Sequence, residues 1–242
     1  MNLEICLDNY ESLMTAVNSG ADRIELCASL KEGGLTPPYS FIEAAMKVKI
    51  PVFVMIRPRS CDFLYTGDEV ELMLKDIYMA KKLGAPGVVF GVLTASGEID
   101  VAAMKPLMNA AKGLEVTFHR AVDQVIDICN ALDSLIELGV KRILSSGQKV
   151  SAYEGMDTLA RMVRHANNRI MIMAAAGVVP SNVREIVEKT HVHEVHSSAA
   201  TFRRSHMKYV KGEAEMGDGK DFFLTVTDGE MIRQLKNNSM GK

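Results

Sequence analysis

The sequence predicts a closed (β/α)₈ barrel on three observations. Short apolar runs alternate with longer segments of helical period, eight such runs can be counted, and the 242 residues approach the ~250 typical of that architecture. Alternating β and α elements imply parallel strands joined by right-handed crossovers. An open doubly wound sheet ranks second, and the lack of GxGxxG after any run counts against its dinucleotide-binding form.

The runs, in order, are LEICL from Leu3, RIELC from Arg23, VFVMIR from Val52, GVVFGVL from Gly87, EVTFHR from Glu115, RILSS from Arg142, IMIMAA from Ile170 and EVHSS from Glu194. Each is followed by a helix candidate. Three helix exits, NSGADRIEL, KLGAPGVVF and ELGVKRILS, place Gly20, Gly84 and Gly139 just past the last turn, where a left-handed cap suits glycine. The polar, Gly-rich KGEAEMGDGKD (Lys211 to Asp221) reads as a mobile loop and TDGEMIRQLKNN as a closing helix. The expected organisation is one barrel domain over 1–242 with a C-terminal extension from about residue 201.

Composition narrows the function. With a formal net charge of -2 and no Lys/Arg-rich block, nucleic acid and anionic membrane surfaces are not expected partners. The opening MNLEICLDNYE has no basic segment leading into an apolar one, and no apolar run approaches the ~20 residues that span a bilayer, so a cytoplasmic protein is expected. Cys6, Cys27, Cys61 and Cys129 are widely spaced without CxxC, which indicates reduced thiols rather than a disulfide framework or zinc knuckle.

Strand parity locates the chemistry. Residues two apart share a face, so Leu3, Ile5 and Leu7 face the helices while Glu4 and Cys6 face the axis. By the same rule Glu25, Cys27, Met55, Arg57, Thr117, His119, Glu194, His196 and Ser198 point inward. Barrel interiors are usually dominated by Val, Ile and Leu, so this cluster is either a site or a satisfied salt-bridge network. Cys27, Arg57, His119 and His196 fall near the C-terminal ends of their strands, the catalytic face of barrel enzymes. In the adjoining loops, Arg57 and Arg59 of RPRSCDF suit capture of carboxylate or phosphate. Ser146 and Gly147 of the SSG turn, and Gly177 before a helix capped by Ser181 or Asn182, offer backbone amides to an anion.

Other motifs are discounted. His191 and His193 of HVHEVH have opposite parity to His196, so one strand cannot aim all three at one ion, and His193 is placed at the bottom rim. No lysine ends a strand, which disfavours Schiff-base chemistry. The 16 methionines are scattered as core filler is.

GADRIELC followed by KEGGLTP, RPR with DF close behind, TFHRA with Asp123 after it, ILSSGQK and EVHSS together resemble the CutC copper-homeostasis proteins, in order from Cys6 to about Ser198. The resemblance implies a barrel, a cytoplasmic location, a homodimer, an association with copper, and Cys6 and Cys27 as the family's thiol positions. The sequence departs at Ser60 and Cys61, where the family usually shows glycines, and at Ala175 and Ala176, in a normally Gly-rich turn. Two functions follow. One is copper(I) binding by Cys6 and Cys27, soft ligands suited to that ion. The other is an enzyme acting on a small phosphorylated or carboxylated ligand, with Glu25 or His119 as general base or acid, His196 assisting and Arg57 holding the anion.

Overall fold

The computed structural model describes residues 1–211, 214 and 221–239. Strands β1 (Asn2–Leu7), β2 (Arg23–Leu26), β3 (Val52–Met55), β4 (Gly87–Phe90), β5 (Glu115–Phe118), β6 (Arg142–Ser145), β7 (Met171–Ala174) and β8 (Glu194–Ser197) form a closed parallel barrel in chain order, β8 pairing with β1. Around it lie α1 (Tyr10–Ser19), α2 (Tyr39–Ala45), α3 (Gly67–Lys82), α4 (Val101–Ala110), α5 (Ile128–Glu137), α6 (Met156–Ala166), α7 (Val183–Thr190) and α8 (Gly229–Ser239).

One expectation fails at the end of the chain. The eighth strand does not run directly into its helix: β9 (Ala200–Arg204) and β10 (Phe223–Thr227) form an antiparallel pair before α8. Thr201 and Phe202 are β-formers that alternate in exposure along β9, a period of two rather than a helical period. Then α8 packs against α1 and α7, with Lys236 Nζ on the Gly20 carbonyl (3.0 Å) and Asn238 Nδ2 on that of Pro180 (2.7 Å). Most of the stretch from Lys211 to Asp221, expected as a loop, lies outside the described residues.

Local signals explain the helix ends. Thr66 and Glu69 form a reciprocal capping box at the start of α3, and Asn9 accepts from Ser12 N at the start of α1. Gly20, Gly84 and Gly139 adopt φ of +94°, +91° and +79°, the left-handed conformation that closes a helix.

Parity separates two layers. Leu3, Ile5, Leu7, Ile24, Leu26, Val54, Ile56, Val116, Phe118 and Val195 join the helices in the main core. Cys27, Phe53, Met55 and Val89 form one small apolar group inside the barrel, and Leu144, Met173 and Ala175 another. Everything else that is buried inside must be paired or must serve a ligand.

Candidate metal and ligand site at the barrel mouth

The lower lumen holds an ion-pair network. Arg23 bridges the carboxylates of Glu4 and Glu194. Arg142 joins Glu194 from the other side (Nε to Oε2, 2.6 Å) and reaches Glu115 (3.2 Å) and Thr117 Oγ1 (3.3 Å). Both guanidiniums lie over the Phe53 ring, at 5.1 and 5.3 Å from its centre, a favourable cation–π arrangement. Glu4, Arg23, Arg142 and Glu194 thus form a satisfied salt-bridge network in the lower part of the barrel.

Above the network, register assembles a compact donor set. Cys6 pairs across the ladder with Glu25, and Glu4, two residues below Cys6, pairs with His196. As a result Cys6 Sγ, a Glu25 oxygen and a His196 nitrogen lie within 4.8 Å of one another, all three residues buried. Cys27 stands outside this group because barrel shear sets Cys6 opposite Glu25, two residues short of it. The Cys27 thiol donates to Glu25 Oε2 at 3.6 Å. Burial, and then the neighbouring Glu25, push that thiol up, away from the thiolate a metal requires.

Electrostatics orient the imidazole. Burial alone would raise Glu4, but Arg23 and then His196 hold its carboxyl down at about 2. An ionised Glu4 Oε1 2.8 Å from His196 Nδ1 makes that nitrogen the donor, which leaves Nε2 facing Glu25 Oε2 at 3.8 Å. A carboxylate on one ring nitrogen, with the other turned toward Cys6 and Glu25, is the usual support of a metal-binding histidine. Burial disfavours charge on His196, yet Cys6, Glu25 and Glu4 raise it well above the usual histidine range. Burial likewise raises Glu25 to about 7, against the pull of His196.

His119 is differently placed. Its Nδ1 accepts from the Ala121 amide (3.3 Å), so the proton of the neutral ring sits on Nε2. Burial, then the charge of Arg57, lower it to about 3. With Nδ1 engaged by that amide, neutral His119 presents Nε2 as a hydrogen-bond donor. Gly91 makes room for it, since a Cβ there would meet the ring at 2.8 Å.

Arg57 lines the mouth, but its outer nitrogens are committed. Nη1 donates to the carbonyls of Glu32 (2.8 Å) and Gly34 (3.2 Å), and Nη2 to that of Cys61 (2.8 Å). Three of the five guanidinium N–H groups are thus spent on main-chain carbonyls, which leaves Nε and one hydrogen of Nη2. Arg57 and His119 share the Phe63 ring, at 5.0 and 4.8 Å from its centre. Glu25, Arg57, His119, His196 and Cys6 all line one cavity of about 340 Å³ at the C-terminal mouth. Among the described residues, four buried side-chain atoms lack a hydrogen-bond partner, and Glu25 Oε1, Arg57 Nε and His119 Nε2 are three of them. Each such orphan costs about 1–3 kcal/mol.

Of the remaining anion-site candidates, Arg59 and the Ser146–Gly147 turn are engaged within the protein. Arg59 turns away to Glu69 (2.6 Å), Asp62 and the Leu64 carbonyl, against the Tyr65 ring. At Ser146 the turn already holds the protein's own Asp123 carboxylate, and the Gly147 amide donates to Ser145 Oγ (2.9 Å). The Asp123 carboxylate accepts from Ser145 Oγ (2.6 Å), Ser146 N (3.0 Å), Ser146 Oγ (2.9 Å) and Gln148 N (3.2 Å). Gly177 does line the cavity. Asn182, however, ties the loop instead of capping α7, accepting from Val179 N (2.9 Å) and donating to the Gly177 carbonyl (2.8 Å). His193 accepts from Ile172 N at the base of β8, as parity requires. Sequence reasoning put Glu4 inward without giving it a role; the signal was its two-residue spacing from Cys6.

The CutC family model matches residues 1–201. Curated CutC proteins of Histophilus somni and Aliivibrio fischeri are 49% and 48% identical over 239 and 241 residues, each alignment covering 98% of both chains. The crystal structure of a candidate copper homeostasis protein CutC from Streptococcus agalactiae superposes with a TM-score of 0.79 at 35% identity, over 82% of this chain and 98% of that one. Phosphoribosylanthranilate isomerase from Thermotoga maritima, with a TM-score of 0.60 at 15% identity over the full length of both chains, shares the barrel fold alone.

Proposed function

Because the chain belongs to the CutC family, we propose that it serves copper homeostasis by holding one copper(I) ion at the barrel mouth through Cys6 and His196, with Glu25 beside them. The observation that carries this reading is the approach of the three donor atoms to within 4.8 Å of one another. Thiolate sulfur and imidazole nitrogen are soft and borderline donors that suit copper(I), whereas a carboxylate is the weakest of the three for that ion. Cys27, whose thiol is engaged with Glu25, takes no direct part.

The residues also set how binding responds to pH. Glu4 holds the Nδ1 side of His196, so the ion would be met by Nε2, which must give up its proton. Binding then releases a proton, and affinity falls as pH falls. The same reading takes in a cytoplasmic location and a homodimer; among the described residues no helix is long and apolar enough to cross a membrane. X-ray absorption at the copper edge, on anaerobically loaded protein, tests the ligand set. One sulfur with nitrogen or oxygen neighbours is expected. Two sulfur neighbours in a monomeric sample would show that Cys6 and Cys27 bind together, against this assignment.

A further inference from the structure

The cavity has two unlike poles. On the side of β1, β2 and β8 stand Cys6, Glu25 and His196. Opposite them, past β3 and β5, Arg57 and His119 flank the Phe63 ring. The second pole takes no part in the proposed metal set. It nevertheless places two buried N–H donors beside the cavity without an acceptor in hydrogen-bond geometry: His119 Nε2, and Arg57 Nε, whose guanidinium also neighbours the unpaired Tyr65 hydroxyl. A fold that hides two donors beside one cavity without acceptors leaves those bonds for a ligand to make.

The unmet bonds define that ligand's chemistry. Two donors, one of them on a guanidinium, call for an oxygen carrying negative charge. Arg57 Nη1 spends both hydrogens, and Nη2 one, on main-chain carbonyls. Nη1 has no hydrogen left and Nη2 at most one, so the end-on fork is taken and what the cavity can use is Nε with His119 Nε2, a pair that suits a planar carboxylate. Glu25 Oε1, the orphan at the other pole of the same cavity, is an acceptor and calls for a donor such as a hydroxyl group. At about 340 Å³ the cavity lies at the small end of ligand sites, ~300–1,000 Å³, and suits a compact metabolite.

We propose that the mouth binds a small hydroxycarboxylate, with a carboxylate oxygen accepting from Arg57 Nε and His119 Nε2 and a hydroxyl donating to Glu25 Oε1. Phe63 forms the apolar wall between the two nitrogen donors. The site does not require the metal, although a ligand seated there would lie beside it.

Isothermal calorimetry on the chelator-treated full chain tests this independently of copper. Glycolate, both lactates, glycerate and gluconate are the probes; acetate lacks the hydroxyl, glycerol lacks the carboxylate, and inorganic phosphate is the rival anion. At least one hydroxycarboxylate is expected to bind saturably, with acetate and glycerol weaker by about tenfold or more, the loss expected when buried polar groups stay unpaired. His119→Phe, which keeps a ring against Phe63 but removes the Nε2 donor, is expected to lose about tenfold, with circular dichroism checking that it folds. Arg57→Lys, lacking the Nε donor at that position, is the second variant and decides the matter should the first misfold. Absence of binding by every hydroxycarboxylate up to ~10 mM, tighter binding of phosphate or acetate, or parental affinity in the folded variant would overturn the proposal.

Discussion

His119 and His196 occupy the same mouth but are driven in opposite directions by their neighbours. For His119, burial and Arg57 set a folded value of about 3 against an ordinary 6.5. The unfolded chain therefore binds the extra proton below pH 6.5, and the fold loses stability progressively as pH falls from 6.5 to about 3. Between pH 6.5 and 5 this amounts to about 2 kcal/mol at roughly 1.36 kcal/mol per pH unit. His119→Phe should flatten that part of the profile, read as urea midpoints against pH. A variant whose midpoint falls as steeply as the parent's would mean that His119 is protonated in the folded protein. His196 moves upward instead, because Cys6, Glu25 and Glu4 outweigh its burial. Parity in the sequence put both rings inside the barrel. It could not separate their roles, since these depend on the Ala121 amide beside one and the Glu4 carboxylate beside the other, which are tertiary facts.

At the scale of the loops, Cys61 and Ala176 are among eight described non-glycine residues with positive φ, and they have the largest values. Cys61 and Ala176 adopt φ of +77° and +71°, where a Cβ costs about 1–2 kcal/mol. Both stand where relatives were expected to have glycine. Restoring it relieves this strain while adding about 0.5–1 kcal/mol of unfolded-state entropy. Cys61→Gly should therefore stabilise the fold by about 0.5–1 kcal/mol, measured by urea denaturation. Destabilisation would show that the Cys61 side chain contributes contacts worth more than the strain. The strands and helices themselves were legible because apolar period and glycine caps are local. Register was not, and it is register that sets Cys6 opposite Glu25 rather than Cys27. The anion turn is hidden for a related reason: Ser146 and Gly147 look open in sequence, but Asp123, more than twenty residues earlier, takes the Ser146 amide and hydroxyl, and Ser145 Oγ takes the Gly147 amide.

For the molecule as a whole, the lower lumen and the upper lumen do different work. Arg23, Arg142, Glu4 and Glu194 fill the barrel below with mutually satisfied charge, so the cavity opens at the C-terminal mouth. Glu4 belongs to both levels, since it accepts from Arg23 below and from His196 above. The rigid network thereby sets the orientation of the metal-facing imidazole. The antiparallel pair β9–β10 and helix α8 then complete the ring of helices between α7 and α1. The most direct test of the account is an anaerobic copper(I) titration against a competing chelator at pH 7.5, comparing the parent with Cys6→Ser and Cys27→Ser. One tight site is expected in the parent and in Cys27→Ser, with its affinity lowered by about a hundredfold or more in Cys6→Ser, as loss of a soft ligand demands. Equal losses in both variants, or parental affinity in Cys6→Ser, would contradict it.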